Sequence, residues 1–450
     1  MRSDRLMFVD IVRGLAIIGV IVVHADTYGI WYSEANALNV LPPAAVAGLS
    51  PIILLATWAG AFALITGLVN AYNVHKRLEK GRPLREVCTA PAINAAVLFG
   101  IWVIVALLLT HRRHGIFGGD EVFSLISGSL ALGRFKAPDL QTLYYKDALV
   151  MIALSGWVSA AALRLVHRRR PDGGVEISAA AARRRSNVLF ASGAAFLALS
   201  AVLQPPAFIL FERLWRAGTP AALVAAWFVN LFSGPSHVLF PYGGFALIGT
   251  ALGLSLAAGE DFRRIRRLCL SYGLAFTAVS ALFIGRTVAG ALAEGGNPLV
   301  ALFDYLVITP GLFFFAAGSI LLLFPLIVRR TEYRPQSERE EIFRKTVRIR
   351  RFGMISLSVF ILENPVTAGL GRVFHLIFGN PDAPTDAFMT NAFAIGLYFV
   401  LTMSFWFLAV RLWEKAGFKY SFEWLSIKIG GLMRKTASNR LDVRSILYGE

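Results

Sequence analysis

An all-α integral membrane bundle of about ten transmembrane helices, with both termini cytoplasmic, is the fold class that this sequence predicts. Three observations predict it. The first is polarity: of 450 residues, 56% are hydrophobic and only 16% charged, with a mean hydropathy of +0.60. Soluble chains carry about 25% charged residues, so too little charge is present to coat soluble domains. The content of 34 Phe, 9 Trp and only 2 Cys excludes a disordered chain and a disulfide scaffold. The second observation is a series of apolar runs of the length that a span needs, roughly 20 residues. The third is the way Lys and Arg are distributed between the loops that join those runs.

The runs come in order at 7–25, 51–72, 92–110, 146–166, 187–204, 237–258, 268–289, 299–328, 353–371 and 389–413. The stretch 221–232 is apolar but too short to cross, and reads as a re-entrant or interfacial helix. With the N-terminus inside, the cytoplasmic segments and helix ends hold 35 of the 45 Lys and Arg, the opposite side nine, and the first span Arg13. The positive-inside rule expects that asymmetry for this orientation, and dropping one span would invert every later loop. The net charge of +17 is therefore read as membrane orientation and not as a nucleic-acid surface. The expected domain organisation is a membrane domain over 1–413 and a cytoplasmic tail over 414–450. The loop 329–352 reads as a basic helix on the anionic inner leaflet. Cys88 and Cys269 fall at cytoplasmic positions and imply no disulfide.

Ionisable residues inside spans are costly and commonly face the bundle interior. The first span supplies Asp10, Arg13 and His24. At 100° per residue Arg13 and His24 differ by roughly 20°, and Asp10 lies about 40–60° from both, so all three share one stripe. Arg13 and His24 are about 16 Å apart along the axis, with Ile17 and Val20 between them. For Asp10 and Arg13 the plain alternative is an ion pair that docks the helix; for His24 it is an interfacial side chain reaching water. Gly14 lets a second helix or a ligand approach beside Arg13. His237 opens the sixth span on the outer side, where it faces His24 or simply caps a helix. Glu363 and Asn364 interrupt the ninth span; a carboxylate there needs a partner, and Pro365 frees a backbone carbonyl nearby. Asp304 in the eighth span is a further candidate for pairing, and Gly249 with Gly253 forms a packing seam. His75, His111, His114, His167 and His375 sit in loops without metal-ligand spacing, and no metal is expected. Motifs for zinc proteases, nucleotide phosphates, dinucleotides, haem and serine hydrolases are all absent. Hydropathy alone leaves an enzyme and a transporter both open.

The run RLMFVDIVRGLAIIGVIVVH (5–24) resembles the opening helix of the transmembrane acyltransferase superfamily, which comprises the acyltransferase-3 and heparan-alpha-glucosaminide N-acetyltransferase-like proteins. Its signature is D-x-x-R-G-x-A; the acyltransferase-3 spacing of Arg, ten residues, then His is met by Arg13 and His24. The segments AGAFALITGLVNAYNVHKRLEKGRP (59–83), HVLFPYGGFALIGTALG (237–253) and SLSVFILENPV (356–366) resemble three later motifs in the same order. Two positions depart. Glu363 stands where the late helix often carries His. The loop HKRLEKGRPLR lacks an R-x-R of the acyltransferase-3 group and in that respect looks more like the heparan branch.

The resemblance implies acyl transfer from cytoplasmic acyl-CoA, acetyl-CoA foremost, to an extracytoplasmic sugar hydroxyl or amine, in the cell (plasma or inner) membrane and with no bound cofactor. His24 would be general base or nucleophile, His237 a second polar group at that mouth, and Arg13, with Asp10 and Glu363, part of the substrate and acyl-CoA site. The partners expected are the bilayer, acyl-CoA, a carbohydrate or other acceptor and, as an open alternative, a second copy of the chain; nucleic acid is not expected. The rival class is a transporter or flippase of a small polar metabolite, with Arg13 and Glu363 as binding groups.

Overall fold

A computed structural model describes residues 6–31, 57–117, 120–167, 175–234, 237–295, 301, 308–383, 386–434 and 443–448. They are overwhelmingly helical, and Arg113 and Val122 form an antiparallel bridge in a described loop. Eight described helices are long and apolar enough to cross a membrane, and a ninth span arises if one bent pair counts as one. The chain is an all-α, multi-pass membrane protein, as its composition predicts.

In chain order the helices are α1 (Met7–His24), α2 (Gly60–Glu79), α3 (Leu84–Leu108), α4 (Leu125–Leu132), α5 (Ala148–Val166), α6 (Ala179–Ala217), α7 (Pro220–Val229) and α8 (Leu239–Ala257). Next come α9 (Phe262–Ala293), α10 (Pro310–Thr331), α11 (Gln336–Lys345), α12 (Val347–Met354), α13 (Ser356–Phe378), α14 (Ala392–Lys415), α15 (Phe422–Met433) and α16 (Val443–Tyr448). The expected span 51–72 corresponds to α2, which begins later and runs on into the charged loop; residues 51–56 lie outside the described residues. Asp304 likewise lies outside them. Helices α6 and α9, with 39 and 32 residues, overrun the expected limits. At 1.5 Å per residue they reach about 58 and 48 Å against a hydrocarbon core of about 30 Å; both extend past the expected limits at each end, α6 mainly after residue 204. The ten-residue α7 covers only about 15 Å and does not cross by itself. It starts on the Thr219 cap with Pro220 in its first turn, after Gly218 has ended α6 at φ +66.

By its contacts the chain forms two compact units, residues 57–100 with 144–329, and residues 1–56, 101–143 and 330–450. Within the first of these, α8 is the central helix and packs on α2, α5 and α6. Gly249 and Gly253 place the backbone of α8 directly on the carbonyls of Leu64 and Leu68 in α2, so the predicted seam is a helix–helix contact.

The other unit is built on α1. An ideal Cβ at Gly14 would overlap the Ile349 carbonyl of α12, and one at Gly353 the Asp10 carbonyl of α1. The two helices therefore cross in backbone contact beside Arg13, the approach that Gly14 predicts. Two apolar clusters brace α1 at different heights. Ile17 and Ile21 pack with Phe352, Ile355, Val359, Trp406 and Phe418, while Ala25 and Ile30 pack with Phe374, Phe388 and Tyr398.

The expectation of one basic surface helix over 329–352 needs correction. The stretch divides into α11, which buries nothing, and α12, which is bent 80° against α13. Arg350 of α12 is fully buried and donates to the carbonyls of Phe343, Ile446 and Leu447, stacking 3.6 Å from the Phe343 ring. It serves as an anchor for the C-terminal helix and not as a membrane-facing charge.

Candidate active site

Helix α1 delivers His24 as its last α-helical residue, and the chain then widens into a π turn over Ala25–Ile30. Such a turn admits an extra residue and re-aims the side chains beyond it; here it sets Tyr28 against His24, with ring centroids 5.4 Å apart and edge to face. The turn is held from outside. His375 of α13, fully buried, reaches the Gly29 carbonyl with Nε2 at 3.1 Å and Asp386 with Nδ1 at 2.5 Å.

Glu363 comes from the middle of α13 and is fully buried. The partner that its burial requires is His24, whose Nδ1 hydrogen-bonds Glu363 Oε1. His111 reaches the same oxygen with Nε2 at 3.1 Å, and Thr367 Oγ1 donates to Glu363 Oε2 at 3.3 Å. The carboxylate thus gathers three donors. Because a carboxylate only accepts, His24 donates from Nδ1, and in the neutral ring the lone pair is then on Nε2. The His24 side chain is 23% exposed, whereas those of His111 and Glu363 are buried, so His24 is the member of the cluster that is open to its surroundings.

His111 follows the end of α3 in a loop that is fixed by its own polar groups. Ser124 Oγ donates to the Thr110 carbonyl and Ser127 Oγ to that of Leu109, while Arg113 and Val122 exchange backbone bonds at 3.0 and 2.8 Å. The ring stacks on Tyr28 at 4.1 Å and meets His24 edge-on at 5.0 Å. Burial pushes the His111 imidazole down to about 4, although the Glu363 charge opposes the shift, so it donates as a neutral ring at neutral pH.

The reading of His111 as a loop histidine without a role therefore needs correction. A signal was present in the sequence: spans one and three run in the same direction, so their C-terminal ends, at His24 and His111, share a side of the membrane. His24 Nδ1, His111 Nε2 and a Glu363 oxygen lie within 4.8 Å of one another, a donor set that could also hold a metal ion.

The remaining predicted residues lie elsewhere. Arg13 donates to Ser356 Oγ at 2.7 Å, at the first residue of α13 after the break. Glu423 of α15 covers the same helix start, accepting from the Leu357 and Ser358 backbone at 2.6 and 3.3 Å and from Ser358 Oγ at 2.6 Å. Burial raises the Glu423 carboxyl, opposed by Ser358 and the Arg13 charge. Asp10 is buried, 3% exposed, where α1 crosses α12. His237 belongs to the other unit, where its N–H donates to the Lys146 carbonyl at 2.7 Å and its ring lies 5.5 Å from Tyr242.

Residues 7–411 match the family model described as an acyltransferase domain, the acyltransferase-3 family. No curated protein and no solved structure matches the chain. With the match covering nearly its whole length, the chain belongs to the membrane acyltransferase-3 superfamily.

Proposed function

We propose that this member of the acyltransferase-3 superfamily transfers an acyl group, acetyl in the simplest case, from cytoplasmic acyl-CoA to an extracytoplasmic hydroxyl or amine such as that of a sugar, with His24 as the general base. The observation that carries the reading is the bond from His24 Nδ1 to buried Glu363, which orients the ring and leaves Nε2 basic. In the step proposed, His24 Nε2 takes the proton from the acceptor O–H as its oxygen attacks the thioester carbonyl. The C–S bond then breaks, and the imidazolium returns the proton to the departing thiolate. Glu363 stabilises the transient imidazolium, and His111 holds Glu363 in place. A neutral imidazole suits this role at pH 7. The donor would enter at the Arg13 end of α1, where the cytoplasmic arginines attract its phosphates. The split of basic residues supports that sidedness, and with it a cytoplasmic tail.

The test is acyl-CoA consumption by the purified protein in detergent across an acceptor panel. Wild type should release thiol only with an acceptor, and His24→Asn, which preserves size but cannot take the proton, should fall by about 10² to 10⁴. Normal turnover by His24→Asn would exclude the base assignment. A second reading rests on the same donor set: two imidazoles and a carboxylate suit a divalent ion such as zinc. Stoichiometric metal in the purified protein, with activity lost to a chelator and restored by Zn2+, would favour it over the hydrogen-bonded dyad.

A further inference from the structure

A narrow cleft opens beside His111, within the unit that carries the cluster. Its walls include Tyr28, Gly29, His111, Arg112, Gly371 and Arg372, and none of its lining residues is acidic. Both guanidinium groups are set into the wall, 15% exposed for Arg112 and 17% for Arg372, and each is less exposed than its counter-ion, Glu121 at 38% and Asp382 at 79%. At Arg372 the difference is large, so the desolvation of the cation is only partly offset by Asp382. The Arg372–Asp382 pair, at 3.3 Å with so exposed an acid, is of the weak, solvent-screened kind, and an incoming anion exchanges for Asp382 at little cost. Arg372 also lies close against the end of α4: Gly133 closes that helix at φ +65, and a Cβ there would stand 3.2 Å from Arg372 Nη2, a tight contact.

We propose that this cleft binds an anionic substituent of the acceptor, a carboxylate or phosphate, held by Arg372 and Arg112. The proposal rests on the acyl-transfer reading and narrows its acceptor to an acidic one. The interior of the cleft has room for a group of roughly water size, enough for one oxygen of the anion, with the rest of the substituent and the sugar ring at its mouth. Guanidinium groups offer planar, paired donors that match either anion. His111 lines the cleft and also contacts Glu363, and Tyr28 lines it and contacts the His24 ring. An anchored anion therefore lies one side chain away from the proposed base.

Binding to the full-length protein in detergent, measured by calorimetry, tests this without requiring turnover. The probes are 4-nitrophenyl β-D-glucuronide and 4-nitrophenyl β-D-glucoside, which differ by a carboxylate in place of a hydroxymethyl group, with inorganic phosphate as competitor and coenzyme A as a separate ligand. The glucuronide should bind roughly tenfold or more tighter than the glucoside, and phosphate should displace it. Arg372→Gln should erase the preference. Asp382→Asn, a surface change, should tighten glucuronide binding severalfold and leave the glucoside unchanged. His24→Asn should retain the preference even as transfer is lost, so failure of the base assignment and failure of the anion site are distinguishable. Equal affinity for the two sugars, no binding of either, or a preference that survives Arg372→Gln overturns the proposal. So does a result in which Arg372→Gln loses coenzyme A and keeps the preference, which would assign Arg372 to the donor.

Discussion

Glu363→Gln isolates charge from shape at the centre of the cluster. Gln fills the same volume. With its oxygen toward His24 and His111, its amide nitrogen faces Thr367 Oγ1, and that hydroxyl can rotate from donor to acceptor. The hydrogen-bond pattern survives, so stability should change by no more than about 1 kcal/mol. The negative charge is lost. An imidazolium forming on His24 would then lack a counter-charge at hydrogen-bond distance, a pairing worth roughly 4 kcal/mol at an effective dielectric of 20. At 1.36 kcal/mol per decade that is about a thousandfold in rate, within the range for disabling a positioned acid–base group. The assay is thiol release from acetyl-CoA with a reactive acceptor, with kcat and KM determined separately and the melting temperature as control. The expected result is a loss of kcat near a thousandfold with KM and melting temperature little changed. A folded Glu363→Gln protein within about threefold of wild-type kcat would refute the reasoning, and so would a loss residing wholly in KM.

Arg13→Lys should impair transfer nearly as much as Arg13→Ala, since Lys cannot both retain the bond to Ser356 Oγ and present a planar fork to a ligand; turnover at the wild-type rate by Arg13→Lys, measured with the same thiol assay, would limit Arg13 to packing. Thermal melts against pH should show stability falling on acidification between about pH 6.5 and pH 4, because burial depresses the folded His111 pKa to about 4 and the unfolded chain takes up the proton first. A shift of that size corresponds to about 3 kcal/mol, and His111→Gln should flatten that part of the curve. Cysteines introduced at exposed Phe135 and Ser337 should label from opposite sides of the membrane; labelling from the same side would overturn the sidedness on which donor and acceptor are assigned.

The spans were legible because their cause is local. A run of apolar residues must satisfy its backbone internally wherever it meets lipid, and helices do so without reference to distant sequence. The limits were less legible because nothing in hydropathy stops a helix at the membrane surface: α6 starts at Ala179 among arginines, and α9 starts at Phe262 beside Arg263 and Arg264. The broken helix at Ile355 was harder still. Residues 353–371 read as one continuous span, and the 80° bend depends on Gly353 pressing against the α1 backbone and on Glu423, some 65 residues later in the chain, covering the new helix start.

The cluster itself shows where reading along one chain reaches its limit. His24 and Arg13 could be singled out because one helix carries both, and helical periodicity relates them. Glu363 could be singled out by cost alone, as a carboxylate in an apolar run, but cost does not name the partner. Its place where the late helix often carries His does not define its role, whereas its contacts make it the acceptor for two imidazoles. Ligand spacing within one segment does not reveal His111, because the relevant proximity is set by helix direction. Two upward-running spans bring their outer ends to the same side, and the serine bonds from α4 and its preceding turn then tie the loop so that His111 points inward. A polar residue just past the end of a span that runs parallel to one bearing an ionisable stripe is therefore a better site candidate than loop position suggests. By that criterion His111 ranks above His237, which begins a span of the opposite direction.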